Sequence, residues 1–239
     1  MKIRIVVPII LDIFNQEIMN EVSLFKAPDM EIDIVKLDRG PASIESRYDD
    51  ALATLDIMEK VQQAERDGFD GVFVDCFGDP GVESSREIVS IPVVGAFEPA
   101  ALTASLISGS WSVVTVVRNV VPIVKKLARK LGVESKVASV RYIDTPVLEL
   151  KDKNVLQKKL LTQIEKVAVE DGAEAVILGC TGMLGLARNL SRVMEDKGIP
   201  IPVIDPTATA IGYLELIIRS GLSQSALTYP APPEKERRI

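Results

Sequence analysis

The sequence predicts an α/β protein of two pseudosymmetric lobes, each a mainly parallel sheet flanked by helices, with the active site in the cleft between them. Three observations carry this. Short apolar, β-branched runs alternate with helical patterns along the chain, the pattern that builds parallel sheets. The second half repeats the first: with an offset of 104, Asp67–Gly81 lies over Asp171–Gly185, and Asp67/Asp171, Gly68/Gly172, Val72/Val176, Cys76/Cys180, Gly78/Gly182 and Gly81/Gly185 are identical. Each half carries one cysteine, directly after a strand pattern.

Ile3–Pro8, Ile32–Leu37, Gly71–Asp75 and Pro92–Ala96 read as buried strands of the first unit. A helix over Asp49–Arg66 separates the second from the third, with Leu52, Leu55, Met58 and Val61 as its apolar stripe. Ser112–Val117, Val137–Ile143, Ala175–Leu178 and Pro202–Ile204 are the strands of the second unit. Its matching helix, Asp152–Glu170, carries Leu156, Leu160, Ile164 and Val167. Both helices end at an Asp-Gly pair, Asp67-Gly68 and Asp171-Gly172, where glycine suits a left-handed cap. Lys125, Lys126, Arg129 and Lys130 read as the solvated side of one helix. The helices after Glu98-Pro99 and Asp205-Pro206 are expected to cross to the opposite unit, the latter over Thr207–Ser220. Residues 1–98 with 207–239 then form one lobe and 99–206 the other. The tail from Pro230, proline-rich and then charged, is expected to be loosely ordered.

The composition narrows the function. The 239 residues suffice for a substantial core, and the net charge of −6 argues against nucleic acid as a partner. No run approaches the ~18 apolar residues of a spanning helix. The first apolar run contains Pro8, stops at Asp12 and has no small-residue cleavage site after it. The expectation is a cytoplasmic protein without membrane contact, its two cysteines reduced. Histidine is absent, which removes the commonest general base and any Ser-His or Cys-His system. Two cysteines without histidine also argue against zinc chemistry. A small-molecule substrate and no cofactor are expected. A homo-oligomer is compatible with the sequence, but no residue specifies one.

The two cysteine segments are Val72-Phe-Val-Asp-Cys76-Phe-Gly-Asp-Pro-Gly81 and Val176-Ile-Leu-Gly-Cys180-Thr-Gly-Met-Leu-Gly185. Ligands of parallel sheets bind at the carboxyl ends of strands, so both thiols belong at a rim where a site forms. Two facing lobes would place the thiols on either side of one cleft. Racemisation asks for that arrangement: one group removes a proton from a carbon, and another returns one to the opposite face. The turns after each cysteine are expected to open helices. The Phe77-Gly78 and Thr181-Gly182 N–H groups would then hold substrate oxygens, and the helix starts would lower the thiol pKa values. Asp75, Asp79, Glu98 and Asp205, near strand ends, read as cap or turn carboxylates. The 104-residue separation is unlike a C-x-x-C redox pair.

At these residues the chain resembles the Asp/Glu/hydantoin racemase superfamily, within it the hydantoin and allantoin racemases. The resemblance rests on Gly40-Pro-Ala-Ser-Ile-Glu45, Asp75-Cys-Phe-Gly-Asp-Pro-Gly81, Ser112-Val-Val-Thr115 and Leu178-Gly-Cys-Thr-Gly-Met183. It implies two α/β lobes with a catalytic cysteine from each, Cys76 and Cys180. It also implies a pocket bordered by Pro8, Ile44, Thr115 and Val116. Amino-acid racemases of the superfamily show Cys-Asn-Thr and Cys-Thr-His, where this chain has Phe77-Gly78 and Gly182. The hydantoin branch commonly ends its first strand Asn-Pro-Asn-Thr; here Val7-Pro8-Ile9-Ile10 stands instead. The leading expectation is a racemase of a 5-substituted hydantoin or a related ring such as allantoin. An aspartate or glutamate racemase and a non-catalytic binding protein are the alternatives.

Overall fold

The eight strand patterns become eight strands, arranged as two sheets of identical topology. The structure is a computed structural model and describes residues 1–237. In chain order the elements are β1 (Lys2–Val7), α1 (Asn15–Val22), β2 (Glu31–Lys36), α2 (Arg47–Arg66), β3 (Gly71–Val74), α3 (Val82–Arg86), β4 (Val93–Val94) and α4 (Phe97–Ile107). They continue with β5 (Trp111–Thr115), α5 (Val121–Leu131), β6 (Val137–Tyr142), α6 (Lys153–Val169), β7 (Ala175–Leu178), α7 (Ala187–Asp196), β8 (Val203–Ile204) and α8 (Pro206–Arg219).

The first sheet runs β2-β1-β3-β4 and the second β6-β5-β7-β8, with every pairing parallel. The inner strands β3, β5 and β7 are buried along their whole length, which is why they read as unbroken apolar runs. The edge strands β2 and β6 are half-buried and keep polar residues such as Asp33 and Arg141. In each sheet the strand order reverses between the first strand and its inner neighbour, β1/β3 and β5/β7. Chain crossovers diverge to opposite sides there and leave a crevice at the strand ends.

The helices are fixed by local chemistry. Ser46 accepts from the Asp49 N–H at the start of α2, and Asp152 accepts from Asn154 and Val155 at the start of α6. Gly68 and Gly172, with φ of 78° and 71°, take the left-handed conformation the Asp-Gly pairs suggested. The α6 stripe Leu156, Leu160, Ile164 and Val167 is buried as read. The α2 stripe is a correction. Leu52 and Leu55 are exposed, and the buried face is Ala53, Asp56, Ile57, Val61 and Ala64. Alanine lets α2 lie close to its sheet, and Asp56 enters because its carboxylate accepts from the Asp38 N–H at 2.7 Å beyond β2.

α4 packs against β7 of the second sheet, while α8 packs against β3 and β4 of the first. These helices also pack on each other. From Pro230 to residue 237 the chain forms neither helix nor strand; the last two residues of the tail named above lie outside the described residues. Among the described residues no helix is long and apolar enough to cross a membrane.

Candidate active site

Cys76 follows β3 by two residues and Cys180 follows β7 by two, so both sulfurs stand at the crevice of their sheet. The backbone repeats faithfully. The Asp75 N–H bonds to Val6 O of β1, and the Gly179 N–H bonds to Val114 O of β5. Gly179 is required where it stands: a Cβ there would meet Val113 Cγ1 at 2.6 Å and Thr115 Cα at 2.9 Å. Its absence lets β5 and the Cys180 turn close up.

The two crevices face each other and share one cavity. Both thiols line it, and both are free and partly exposed to it. Strand ends contribute Val7, Pro8, Ile9 and Val116; the cysteine turns contribute Asp75–Gly78 and Gly179–Gly182. Apolar side chains close the rest: Phe14 and Ile18 from the α1 region, Ile44, Val120, Ile123, Val147 and Leu184. Among the described residues, no lysine or arginine borders the cavity.

Three hydrogen bonds stitch the halves of the chain around it. Thr181 Oγ1 donates to Asp75 O at 3.1 Å, the Val147 N–H donates to Glu45 Oε1 at 2.7 Å, and the Gly185 N–H donates to Glu21 Oε1 at 2.7 Å. The first links the two cysteine turns directly.

Each sulfur receives an N–H from the glycine two residues on. The Gly182 N–H lies 3.4 Å from Cys180 Sγ, and the Gly78 N–H plays the same part at Cys76. These contacts favour the thiolate, but burial dominates. Cys180 is pushed up to about 12, burial first, with the charges of Asp75 and Glu45 adding to it. Burial raises Cys76 well above the ordinary thiol range, and the charges of Cys180, Asp79 and Asp75 push the same way.

That direction corrects the sequence expectation of lowered thiol pKa values. Neither cysteine turn opens a helix, since α3 begins only at Val82 and α7 only at Ala187. Phe77-Gly78 and Thr181-Gly182 are therefore turn residues, and both glycine N–H groups are directed at sulfur. Among the described residues, no protein acceptor takes the N–H of Phe77 or Thr181.

Of the positions named from sequence, Pro8, Ile44, Phe77, Gly78, Val116, Thr181 and Gly182 border the cavity with the two thiols. Phe77 does so while its ring packs edge-on against Phe97, centroids 5.4 Å apart. Thr115 is a correction. It is fully buried inside β5 and its hydroxyl donates to Gly179 O at 2.9 Å, so it supports the Cys180 turn from behind. Asp205 caps α8, and Asp79 accepts from the Phe97 and Glu98 N–H groups that open α4. Asp75 departs from the cap reading: it lines the cavity and caps no helix. The α1 wall had no counterpart in the sequence reading, although Phe14, Ile18 and Val22 keep a four-residue spacing.

The sequence pattern of the Asp/Glu/Hydantoin racemase family matches residues 15–214. A hydantoin racemase of Paenarthrobacter aurescens is 34% identical over 239 residues, covering 99% of each chain. The chain belongs to the Asp/Glu/hydantoin racemase family. It is an isomerase of the racemase type. The structure of an allantoin racemase from Klebsiella pneumoniae superposes with a TM-score of 0.93 at 30% identity, covering 100% of this chain and 96% of that one. A glutamate racemase from Bacillus anthracis shares the fold at a TM-score of 0.64 and 18% identity, covering 92% of this chain and 82% of that one.

Proposed function

We propose that this racemase inverts C5 of a 5-substituted hydantoin or a related ring such as allantoin, with Cys76 and Cys180 as its two acid/base groups. The lobes that carry them are 1–98 with 207–239, and 99–206. The observation that carries the reading is that two free thiols, from equivalent positions of the two sheets, line one cavity. One sulfur as thiolate takes the C5 proton; the other as thiol returns a proton to the opposite face. The roles exchange for the other enantiomer. The electron pair left at C5 delocalises into the adjacent ring carbonyl. The Phe77 and Thr181 N–H groups, which no described residue accepts, would receive the growing charge on a ring oxygen.

The missing cations favour a ring substrate over a free amino acid. An α-carboxylate would enter an apolar cavity with no counter-charge, at a desolvation cost of several kcal/mol. A hydantoin carries no such charge, and its C5–H is activated by a carbonyl and an acylated nitrogen. Ile9 and the other apolar walls suit an apolar C5 substituent.

Enantiopure 5-benzylhydantoin in D₂O tests this. Optical rotation decays while deuterium enters C5. Cys76→Ala and Cys180→Ala each lower racemisation by about 10²–10⁴-fold, the scale of a lost acid/base group, yet keep the ligand-induced thermal shift. Deuterium exchange into aspartate or glutamate, with none into any hydantoin, would move the assignment to an amino-acid racemase. Ligand binding with no turnover of either class would make the protein a binder.

A further inference from the structure

The repeat creates two carbonyl groups with the same need. Asp75 O and Gly179 O immediately precede Cys76 and Cys180, so each belongs to the peptide group from which a thiol-bearing residue leaves its strand. Both residues are buried, and among the described residues no backbone N–H bonds to either oxygen. A buried carbonyl left unpaired is costly, so each calls for a side-chain donor. Each receives a threonine hydroxyl, but from a different place.

Gly179 O is served from its own sheet: Thr115 Oγ1 of β5 donates to it at 2.9 Å. The first sheet has no such donor. β1 and β5 pair with β3 and β7 in the same register, Val6 with Val74 and Val114 with Leu178, so Val7 stands where Thr115 does. Valine has no hydroxyl, and Asp75 O accepts instead from Thr181 Oγ1, in the other half of the chain, at 3.1 Å. Thr181 is itself the neighbour of Cys180. One hydrogen bond therefore joins the peptide group of one thiol residue to the residue beside the other. The remaining two bonds around the cavity, Glu45 with Val147 and Glu21 with Gly185, start further along the chain from either cysteine.

We propose that Thr181 is a positioning residue: its hydroxyl fixes the separation of Cys76 and Cys180 so that both sulfurs reach one ring carbon. The inference rests on the two-thiol racemase reading. The hydroxyl has a single proton, engaged by Asp75 O, so this side chain orients the pair while the Thr181 N–H stays free for substrate.

Separation matters because inversion uses the two groups in turn. One thiolate takes the C5 proton, forming S–H and leaving the electron pair in the ring. The second thiol gives its proton to the opposite face and keeps the S–H electron pair as thiolate. When the second sulfur stands too far off, the ring anion waits, and the first thiol returns a proton to the face it came from. In D₂O that thiol proton exchanges during the wait, so deuterium enters the starting enantiomer without inversion.

Chiral separation and mass spectrometry of 5-benzylhydantoin in D₂O read both events. The wild type places deuterium in the inverted product alone. Thr181→Val keeps the N–H and removes the bridge. Inversion slows about 10²-fold, the scale of an ångström of misplacement. The ratio of deuterium in the starting enantiomer to that in the product rises by about tenfold or more, because abstraction by the first thiol is untouched. Thr181→Ser keeps the hydroxyl and behaves as the wild type. Val7→Thr added to Thr181→Val separates positioning from mere satisfaction of the carbonyl. It offers Asp75 O a donor from its own sheet, as Thr115 does for Gly179 O, so the melting temperature recovers while inversion stays slow. The double variant also carries the test where Thr181→Val alone does not fold. Recovery of the rate along with stability, a Thr181→Val protein whose deuterium stays in the product alone, or a Thr181→Ser protein that matches Thr181→Val overturns the proposal. Deuterium entering both enantiomers equally in the wild type removes the two-thiol reading instead, whatever the variants do.

Discussion

Cys180 owes its position to the residue before it. Gly179 packs against Thr115 and Val113 so closely that any side chain displaces the turn. Gly179→Ala should therefore destabilise the protein by about 1–3 kcal/mol, the usual cost of overpacking. It should also slow turnover, because the sulfur moves with the backbone. Thermal melts and initial rates check both; a variant with wild-type melting and rate contradicts this account of the turn. Gly182→Ala is a gentler probe. Its Cβ would lie 3.4 Å from Cys180 Sγ and 3.2 Å from Leu150 Cδ1. We expect near-normal stability with a reduced rate, measured by the same pair of assays. The thiol positions were legible in the sequence because strand-end placement and the internal repeat both mark them. The role of Thr115 was not. A β-branched residue on a strand points to one of two faces, and only the pairing of β5 with β7 settles that its hydroxyl reaches Gly179. The surroundings of the sulfurs were likewise hidden, since whether a glycine turn opens a helix depends on the residues that follow it.

At the scale of elements, the strands were readable to within two residues because buried parallel strands are short apolar runs with sharp ends. The packed face of α2 was not. Leu52–Leu55 and Ala53–Ile57–Val61 are competing stripes of similar period, and the strand end capped by Asp56 decides between them. Asp56 is 2% exposed and holds the N–H groups of Asp38 and Arg39 as the chain enters the segment carrying Ile44 and Glu45. Asp56→Ala leaves those donors without their acceptor, which costs about 1–3 kcal/mol. It should also loosen the loop that sets one wall of the cavity. A chemical-denaturation midpoint checks the first effect and the KM for the ring substrate the second. Unchanged values for both would contradict the assignment of Asp56 as the anchor. The α1 wall escaped notice for a related reason: one side of an eight-residue helix offers too few apolar positions to establish a period.

The whole molecule is two copies of one sheet topology, with a shared cavity walled mainly by apolar side chains and a set of buried acids around it. Asp75 and Asp79 each ionise at about 7 and Glu21 at about 9, all raised first by burial. Carboxyl groups in an unfolded chain ionise near pH 4. The folded protein thus keeps protons that the unfolded chain has released, so the stability these groups contribute is full below about pH 4. It is lost as pH rises through 7 for the aspartates and 9 for Glu21. Asp67 and Asp171 are held below the ordinary range by Arg4 and Arg141, so their contribution is lost only in acid. The melting temperature should peak near pH 5 and fall towards pH 9.5, and Glu21→Gln should flatten the fall above pH 7. A melting temperature that rises from pH 5 to 9.5 would contradict the burial of these acids.

The central claim is that two sulfurs act on opposite faces of one carbon, and the earliest turnovers in D₂O test it most directly. Starting from one enantiomer of 5-benzylhydantoin, chiral separation followed by mass spectrometry gives the isotope content of each hand. Two thiols predict that the inverted product carries deuterium from its first appearance while the remaining starting enantiomer still carries protium. Deuterium entering the starting enantiomer as fast as the product would mean that one group serves both faces, and the two-thiol account would fail.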